Sequence, residues 1–245
     1  MEPHELLNWN RRGLIPGPKE SESSFLARCS HSKSITSQTL FDISPDWVHI
    51  QYSKQGLRFW EGGCTWIEEN QTKIQLHPSL LKNKTHFGYT GQEMLTHELV
   101  HAVRSAFDEP IFEEMLAYQT SSSPLRRFWG PLVRTPKESL IGVLAILSFT
   151  LLSFFEPFYF LAMTSLLTLC GFAILRLFHA QRQFKRALNN ISKLVSKERL
   201  LSFLLHLSDQ EIRRFSHTAT DIVSYAHEMA KTSLRWQQII ASYFN

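Results

Sequence analysis

The sequence is poor in cysteine, and its cysteines are isolated from one another. Cys29, Cys64 and Cys170 form no CxxC pair, which predicts a reducing compartment and no disulfide framework. Glycine and proline contribute only 10 residues each, and 43% of the residues are hydrophobic. These values exclude a collagen-like or disordered chain. A chain of 245 residues is long enough to bury the core of one or two domains.

Charge is almost absent from 139–175, where Glu156 is the one charged side chain. Glu156 and Pro157 divide this run into two apolar segments, each roughly 26 Å long as a helix. Buried helices of soluble proteins rarely lack polar residues on every face. We therefore expect a transmembrane helical hairpin over 139–178, with a buried pair of core helices as the alternative.

Basic residues flank the apolar run on both sides, while the turn at Glu156 carries neither Lys nor Arg. The positive-inside rule then predicts that both termini lie in the cytoplasm. The start, MEPHELLNWNRR, has no apolar stretch, so we expect no signal peptide to carry 1–138 across the membrane. The formal charge of +4 is thereby explained as charge at the membrane surface. A lipid bilayer, and no nucleic acid, is the expected partner.

The remaining segments predict an α+β protein in several parts. Residues 1–45 form an irregular or partly helical lead-in, 125–138 a basic linker, and 179–245 a helical region. Between the first two, 46–124 combines short β-like runs with two helices. The runs, separated by turn signals such as Glu69-Asn70, predict a small antiparallel, meander-like sheet with strands at 47–52, 57–60, 65–67 and 73–76. The predicted helices are 91–107 and 110–121 before the hairpin, and the pair 180–207 and 209–243 after it.

The motif that carries chemistry is His97-Glu98-Leu99-Val100-His101, an HExxH sequence inside the helix predicted at 91–107. Chance placement gives this motif only about 0.03 times in a chain of this composition. Residues four apart share one face of a helix, so both imidazoles can reach one Zn²⁺ ion. Glu98 is rotated by about 100° from His97 and can address a zinc-bound water as general base. Such a site needs a third protein ligand and leaves its fourth position open.

The third ligand is expected from the next helix, where Glu113 and Glu114 are adjacent. HELVHAVRSAFDEPIFEEMLAY resembles the gluzincin zinc metallopeptidases, a group of zincins whose second motif reads roughly W-x-x-E-G-x-A-x-Y. Matching on Ala117 implies that Glu114 is the ligand, with Glu113 as the alternative. Met115 stands where the family has Gly, and the Phe and Tyr of the motif are each displaced by one residue.

The resemblance implies a zincin-like fold for 46–124 and an extended peptide substrate that pairs with an edge strand near the metal helix. In this chain the strand would be 65–67 or 73–76. A donor for the developing oxyanion is also needed. Tyr118 is the possible donor, and Tyr89, His86 and Arg104 are near in sequence without a spacing that selects one of them. Glu93 is a candidate second-sphere carboxylate for an imidazole, or part of a capping box with Thr90.

These observations predict a membrane-tethered, cytosol-facing zinc metalloendopeptidase that acts on a peptide or protein substrate. Two other functions remain open. One is a catalytically inert membrane adaptor, and the other is a structural zinc protein in which the ion only joins two helices. The apolar stripe of 209–243 must also be buried, either within the chain or against a second copy, so the oligomeric state stays open.

Overall fold

A computed structural model describes residues 1–68, 71–82, 85–217 and 222–244 of the chain. In these residues it has eleven α-helices and one three-stranded sheet, an α+β architecture as the sequence predicted. The strands are β1 (His49–Tyr52), β2 (Gly63–Glu68) and β3 (Gln71–Leu76). The helices are α1 (Pro3–Arg11), α2 (Glu22–His31), α3 (Gly91–Val103), α4 (Pro110–Tyr118), α5 (Pro124–Trp129), α6 (Pro136–Leu152), α7 (Glu156–Ile191), α8 (Leu200–Leu205), α9 (Asp209–His217), α10 (Ile222–Met229) and α11 (Leu234–Tyr243).

The sheet is mixed, which corrects the predicted antiparallel meander. Its strand order is β1-β3-β2, with β3 antiparallel to β2 and parallel to β1. Ile74 at the centre of β3 faces Thr65 on one side and Ile50 on the other. The central strand is therefore β3, and β2 and β1 are the two edges.

The prediction of a strand at 57–60 is wrong, and this error explains the incorrect topology. That segment forms consecutive turns, in which Leu57 N–H donates to Lys54 O and Glu61 N–H donates to Arg58 O. Without a strand there, the chain leaves β1 by a connection long enough to cross the sheet. It returns as the β2–β3 hairpin, whose β3 pairs with β1 in parallel. The turn predicted at Glu69-Asn70 lies outside the described residues.

Helix α3 packs its apolar face on the sheet and places the HExxH motif above it. Leu99 and Val100 of α3 are fully buried together with Ile74 and Leu76 of β3. The helix ends at Val103, a turn earlier than predicted, and Asp108 then adopts a positive φ of 50°. The chain thereby reverses before α4, whose Pro at the first helical position suits a helix start.

The predicted lead-in 1–45 is more regular than expected, because it forms α1 and α2 and contributes to the core. Phe25 and Leu14 are fully buried. Helix α1 packs against α11, and the Gln238 amide donates to the carbonyls of Leu6 and Leu14 at 3.2 and 3.0 Å. The first and last described helices are thus joined in one packed unit.

Helix α7 is long and apolar enough to cross a membrane, and only 6% of its apolar window is buried inside the chain. A core helix of a soluble protein would bury most of that surface. Helix α6 packs along α7 and is also exposed. It passes the same test only together with the preceding segment Pro124–Leu132, to which it is bent by 80°.

The predicted C-terminal pair of helices is wrong in number. Helix α7 continues to Ile191, and four shorter helices, α8 to α11, follow in the described residues. No glycine or proline occurs after Gly171, so the sequence lacks the usual signals of helix ends. Polar residues mark the breaks instead, including Ser196 before a 3-10 turn and Ser233 before α11. Ala219, part of the stripe predicted on 209–243, lies outside the described residues.

The C-terminal helices are held together by a buried ion pair, which gives the first testable prediction. Nη1 and Nη2 of Arg235 donate to the Glu211 carboxylate, at 2.7 and 2.9 Å, and Trp236 Nε1 donates to the same group. Glu211→Ala leaves the Arg235 charge buried and unpaired, so we expect a loss of about 3–5 kcal/mol in unfolding free energy. Chemical denaturation of the full chain in detergent measures it.

The control is Glu68→Ala, which removes the half-exposed partner of Lys73. Exposed ion pairs contribute at most about 1 kcal/mol, so this variant should unfold close to the wild type. Equal losses in the two variants would contradict the role assigned to the Glu211–Arg235 pair.

Candidate metal site

Three side chains of types that can bind a metal ion meet where α3 crosses α4. His97 Nε2 lies 3.4 Å from His101 Nε2 and 3.6 Å from a carboxylate oxygen of Glu114. His101 Nε2 lies 3.5 Å from the other oxygen of Glu114. One ligand atom from each of the three residues lies within 4.8 Å of the other two, which is close enough for a common metal ion. Ligand atoms about 2.0–2.2 Å from a tetrahedral Zn²⁺ stand about 3.3–3.6 Å apart, and each imidazole approaches one of the two Glu114 oxygens to about this distance. We call these three residues the triangle. Among the described residues it is the one group of at least three His, Cys, Asp or Glu side chains with such spacing.

Glu113, the alternative ligand, lies behind one of these imidazoles. Its Oε1 is 2.8 Å from Nδ1 of His101, whose Nε2 points into the triangle. Consecutive residues of a helix differ by about 100° in direction, and this rotation separates the two carboxylates. Glu113 thus has the position of a second-sphere carboxylate, which fixes the orientation of a ligand imidazole and raises its basicity.

The charges of the cluster are strongly coupled. Burial, followed by the positive charge of His101, lowers the pKa of His97 to about 3. Burial also lowers the pKa of His101, but the carboxylates of Glu114 and Glu113 outweigh it and raise that pKa to about 10. Burial raises the pKa of Glu114 to about 7. The two partly buried carboxylates therefore favour positive charge on the His101 imidazole, an arrangement that also favours a cation with higher charge.

Glu98 is 7% exposed and is held by strand β2. Thr65 Oγ1 lies 2.8 Å from Glu98 Oε2 and 3.0 Å from the backbone oxygen of Glu98, so its hydroxyl proton can be donated to either. Burial raises the pKa of the Glu98 carboxyl, although the Thr65 hydrogen bond opposes this effect. Gly63, two residues earlier, allows the strand to approach, because a Cβ there would lie 3.1 Å from Cγ of Glu98.

Thr65 was missed as a site residue by the sequence analysis. The predicted strand began at Thr65, whereas β2 begins at Gly63, and in the longer strand the spacing of two puts both residues on one face of the sheet. That pattern does not reveal which helix the face contacts, and so it could not identify Glu98 as the partner.

Tyr118 lies next to the triangle. Its ring centroid is 4.7 Å from that of His97 in an edge-to-face contact, and its hydroxyl is hydrogen-bonded to Tyr89. The ring also packs directly on Gly130, where any Cβ would overlap it. Burial raises the pKa of Tyr118, which keeps the phenol protonated and able to donate a hydrogen bond. Its position is compatible with the role of oxyanion donor.

The other three residues near in sequence have different surroundings. Arg104 is 1% exposed and donates to the carbonyls of Leu205 and Leu207, with its Nε 3.5 Å from Glu113. These contacts make it a support for Glu113 and remove it as a donor to a substrate. His86 stacks on His77 with centroids 4.2 Å apart. Tyr89, as described, bonds to Tyr118.

Glu93 joins α3 to α5. Thr90 caps α3 by accepting from the Glu93 N–H, as the capping box predicts. The Glu93 side chain, however, accepts from Arg126 Nη1 at 2.7 Å and from the Ser121 hydroxyl. It therefore ties the start of the metal helix to the segment that leads into α6, and its carboxylate is bonded there instead of to an imidazole.

The C-terminal region fixes the start of α4. Both carboxylate oxygens of Asp209 accept backbone N–H groups there, from Ile111 at 3.0 Å and from Phe112 at 3.1 Å. In return, Asp209 N–H donates to Glu109. Asp209 thus caps the helix that carries Glu113 and Glu114 from almost a hundred residues away, a contact that no local sequence pattern could predict.

Comparison with known proteins identifies no relative of this chain. No family model, curated protein or solved structure matches the chain. The functional argument therefore depends on the residues of the site and on the resemblance carried by the HELVH and FEEMLAY segments.

The arrangement of the two adjacent carboxylates gives a second prediction. Glu114→Gln should lose stoichiometric zinc, because an amide is a poor replacement for an anionic ligand. Glu113→Gln should keep zinc with an affinity lower by about 10–100-fold, the usual effect of removing a second-sphere partner. Titration against a zinc chelator of known affinity measures both. Tighter zinc binding by Glu114→Gln than by Glu113→Gln would contradict the assignment.

The Asp209 cap gives a third prediction. Asp209→Ala should cost about 0.5–2 kcal/mol of stability, the range for a lost helix cap, and should also weaken zinc binding because α4 carries the carboxylates. Ser21→Ala is the matched control, since Ser21 caps α2 by accepting from Ser24 N–H. It should lose similar stability and keep the wild-type zinc affinity. The same affinity in both variants would show that α4 is positioned without Asp209.

Proposed function

We propose that this chain is a membrane-tethered zinc metalloendopeptidase. The single observation that carries the proposal is the triangle of His97, His101 and Glu114, with the buried carboxylate of Glu98 on the neighbouring face of α3. His97, His101 and Glu114 would hold the ion. Bound zinc would supply a water with a pKa lowered to about 7.

Glu98 is suited to move the proton in this reaction. Its Oε2 lies 2.8 Å from the Thr65 hydroxyl oxygen, a contact that holds the carboxylate in place. We assign the Glu98 carboxylate as the group that accepts the proton when the water oxygen attacks the peptide carbonyl carbon. Glu98 would then deliver this proton to the leaving amine nitrogen as the C–N bond breaks, so that the carboxylate is restored.

Tyr118 is the donor that we assign to the developing oxyanion. Its ring contacts His97, and its hydroxyl, which is hydrogen-bonded to Tyr89, would turn from that partner to the oxyanion. The carbonyl oxygen of the substrate gains negative charge in the transition state, so it would accept a stronger hydrogen bond there than in the ground state. This difference in binding lowers the barrier.

The edge strand β2 is the proposed recognition element for an extended peptide. It lies against α3 and has one side of its backbone free of strand partners in the described sheet, whereas β3 is paired on both sides. Of the two predicted edge segments, 65–67 therefore remains and 73–76 is excluded. A peptide that adds to β2 would be recognised largely through backbone hydrogen bonds, with little demand on sequence.

The membrane part of the proposal is a hairpin of α6 and α7 with the peptidase on the cytoplasmic side. Both helices are apolar and exposed, and the basic flanks favour the cytoplasm for both ends. The ion pair between Arg176 and Glu138 joins the two helices at the end nearest the metal site, with Nη2 2.9 Å from a carboxylate oxygen.

The fourth prediction tests the chemistry and separates the alternatives. Glu98→Gln should retain stoichiometric zinc and lose peptide hydrolysis, because an amide cannot accept the proton. His97→Ala should lose both. Metal content by elemental analysis and cleavage of a fluorogenic peptide library by the full chain in detergent are the two measurements.

Each other outcome favours a different function. Wild-type protein that binds no zinc would be the inert adaptor. Protein that binds zinc, hydrolyses no peptide and unfolds when the metal is removed would be the structural zinc protein. Hydrolysis retained in Glu98→Gln would remove Glu98 from the role of general base.

A further inference from the structure

The segment Pro124–Leu132, which we call the shoulder, has the geometry of a helix lying on a membrane. It runs at 80° to α6, which begins four residues later. If α6 crosses the bilayer close to its normal, a segment bent by that angle runs nearly parallel to the surface. Helices of this kind bury an apolar face at the boundary between headgroups and acyl chains.

The shoulder also lies at the depth where the surface is expected. Its Phe128 and Trp129 rings pack on Phe178, with centroids 5.2 and 6.3 Å apart. Phe178 comes two residues after Arg176, the first charged residue after the apolar part of α7. Gln181, one turn further on, donates to the Arg127 and Phe128 carbonyls. The shoulder is thus fixed beside the point where α7 changes from apolar to basic.

One side of the shoulder is apolar and exposed. Leu125 is 68% exposed and Trp129, four residues later, is 40% exposed, so both lie on the same helical face. Val133, just after the shoulder, is 46% exposed. Tryptophan is enriched at membrane–water interfaces because its ring is apolar and its N–H is polar. The exposed apolar surface of α6 begins at Leu140, a few residues further along the chain, and this closeness to a membrane-crossing candidate argues for lipid as the occupant of the face.

The shoulder is linked to the metal site through Tyr118. Gly130 packs on the Tyr118 ring, and that ring contacts His97. Arg126 bonds Glu93 at the start of α3 and also the carbonyl of Gly88. Two contacts, from His97 to Tyr118 and from Tyr118 to Gly130, therefore link a candidate ligand to the shoulder, and the same segment holds the N-terminal end of α3.

We propose that the shoulder lies in the plane of the membrane interface, with Leu125, Trp129 and Val133 against lipid. This position would hold the metal site beside the headgroups. The substrates would then be polypeptide segments that run along the bilayer surface, close to where a protein enters the membrane. The statement on substrates rests on the proposed peptidase function, whereas the statement on the shoulder does not.

The first experiment measures the lipid contact alone. In full-length protein with Cys29, Cys64 and Cys170 replaced by alanine, an environment-sensitive dye is attached at Leu125→Cys, Trp129→Cys or Ile35→Cys, and each protein is reconstituted in phosphatidylcholine–phosphatidylglycerol nanodiscs. Ile35 is the matched control. It is 58% exposed and borders the same pocket as Ala106, beyond the far end of α3.

Nitroxide-labelled lipids should quench the dye at 125 and 129 several-fold more than at 35, and the emission at 125 and 129 should shift to shorter wavelength. Quenching that is equal at the three positions, or absent from all of them, would overturn the inference. Circular dichroism and thermal unfolding of each labelled protein verify that it is folded, and a second dye position at Val133→Cys replaces any variant that is not.

The second experiment tests the substrate class. A fluorogenic peptide library is offered either free or attached by a short linker to a nanodisc lipid. Wild-type protein should cleave the attached peptides several-fold faster, and Leu125→Gln with Trp129→Gln should lose this preference while it keeps zinc and the rate on free peptides. Ile35→Gln should behave like the wild type. Equal wild-type rates on both forms would overturn the substrate assignment.

Different results would contradict the proposed peptidase function and the proposed position of the shoulder. If wild-type protein binds no zinc, the proposed peptidase is wrong, and the quenching result still decides where the shoulder lies. If zinc and hydrolysis are present but the dye positions do not differ, the peptidase stands and the interfacial inference falls.

Discussion

Two imidazoles and a carboxylate lie within 3.4–3.6 Å of one another, partly buried, at the crossing of α3 and α4. This close approach is the constraint on which the rest of the site depends. A proton on His101 between the carboxylates of Glu113 and Glu114 balances part of the negative charge, and a dication would balance more of it. The crossing of α3 and α4 exists at the correct distance because Leu99, Val100, Phe112 and Met115 bury their side chains in one core.

Residues behind the triangle connect it to the C-terminal region through a series of contacts. Glu113 holds His101, Arg104 approaches Glu113, and the carbonyls of Leu205 and Leu207 accept from Arg104. Asp209, two residues after Leu207, caps α4 and so connects the same C-terminal segment to the helix that carries Glu113. The C-terminal helices, which the sequence left without a role, are thereby part of the support of the site. Metal binding and folding of this region are expected to be coupled, because each stabilises the arrangement that the other needs.

The proximity of the candidate ligands was predictable from the sequence, and the long-range structure was not. The i, i+4 spacing of His97 and His101 places both imidazoles on one helical face whatever the rest of the fold does, and the structure brings them together with Glu114. The predictions of an antiparallel sheet and of two C-terminal helices were wrong because they depend on more than local spacing. The strand order depends on which distant strand pairs with the free side of β3. Helices α8 to α11 end without glycine or proline. Thr65 and Asp209 act through contacts made only after folding, so no spacing identifies them.

The central claim is that one zinc ion is bound by two imidazoles and one carboxylate. Zinc K-edge X-ray absorption of the purified full-length chain tests it most directly. The account predicts a first shell of about four nitrogen and oxygen atoms at about 2.0–2.1 Å, with the outer-shell scattering of two imidazoles. A zinc–sulfur distance of about 2.3 Å, or a first shell without imidazole, would contradict it, because the described triangle contains no thiolate and two histidines.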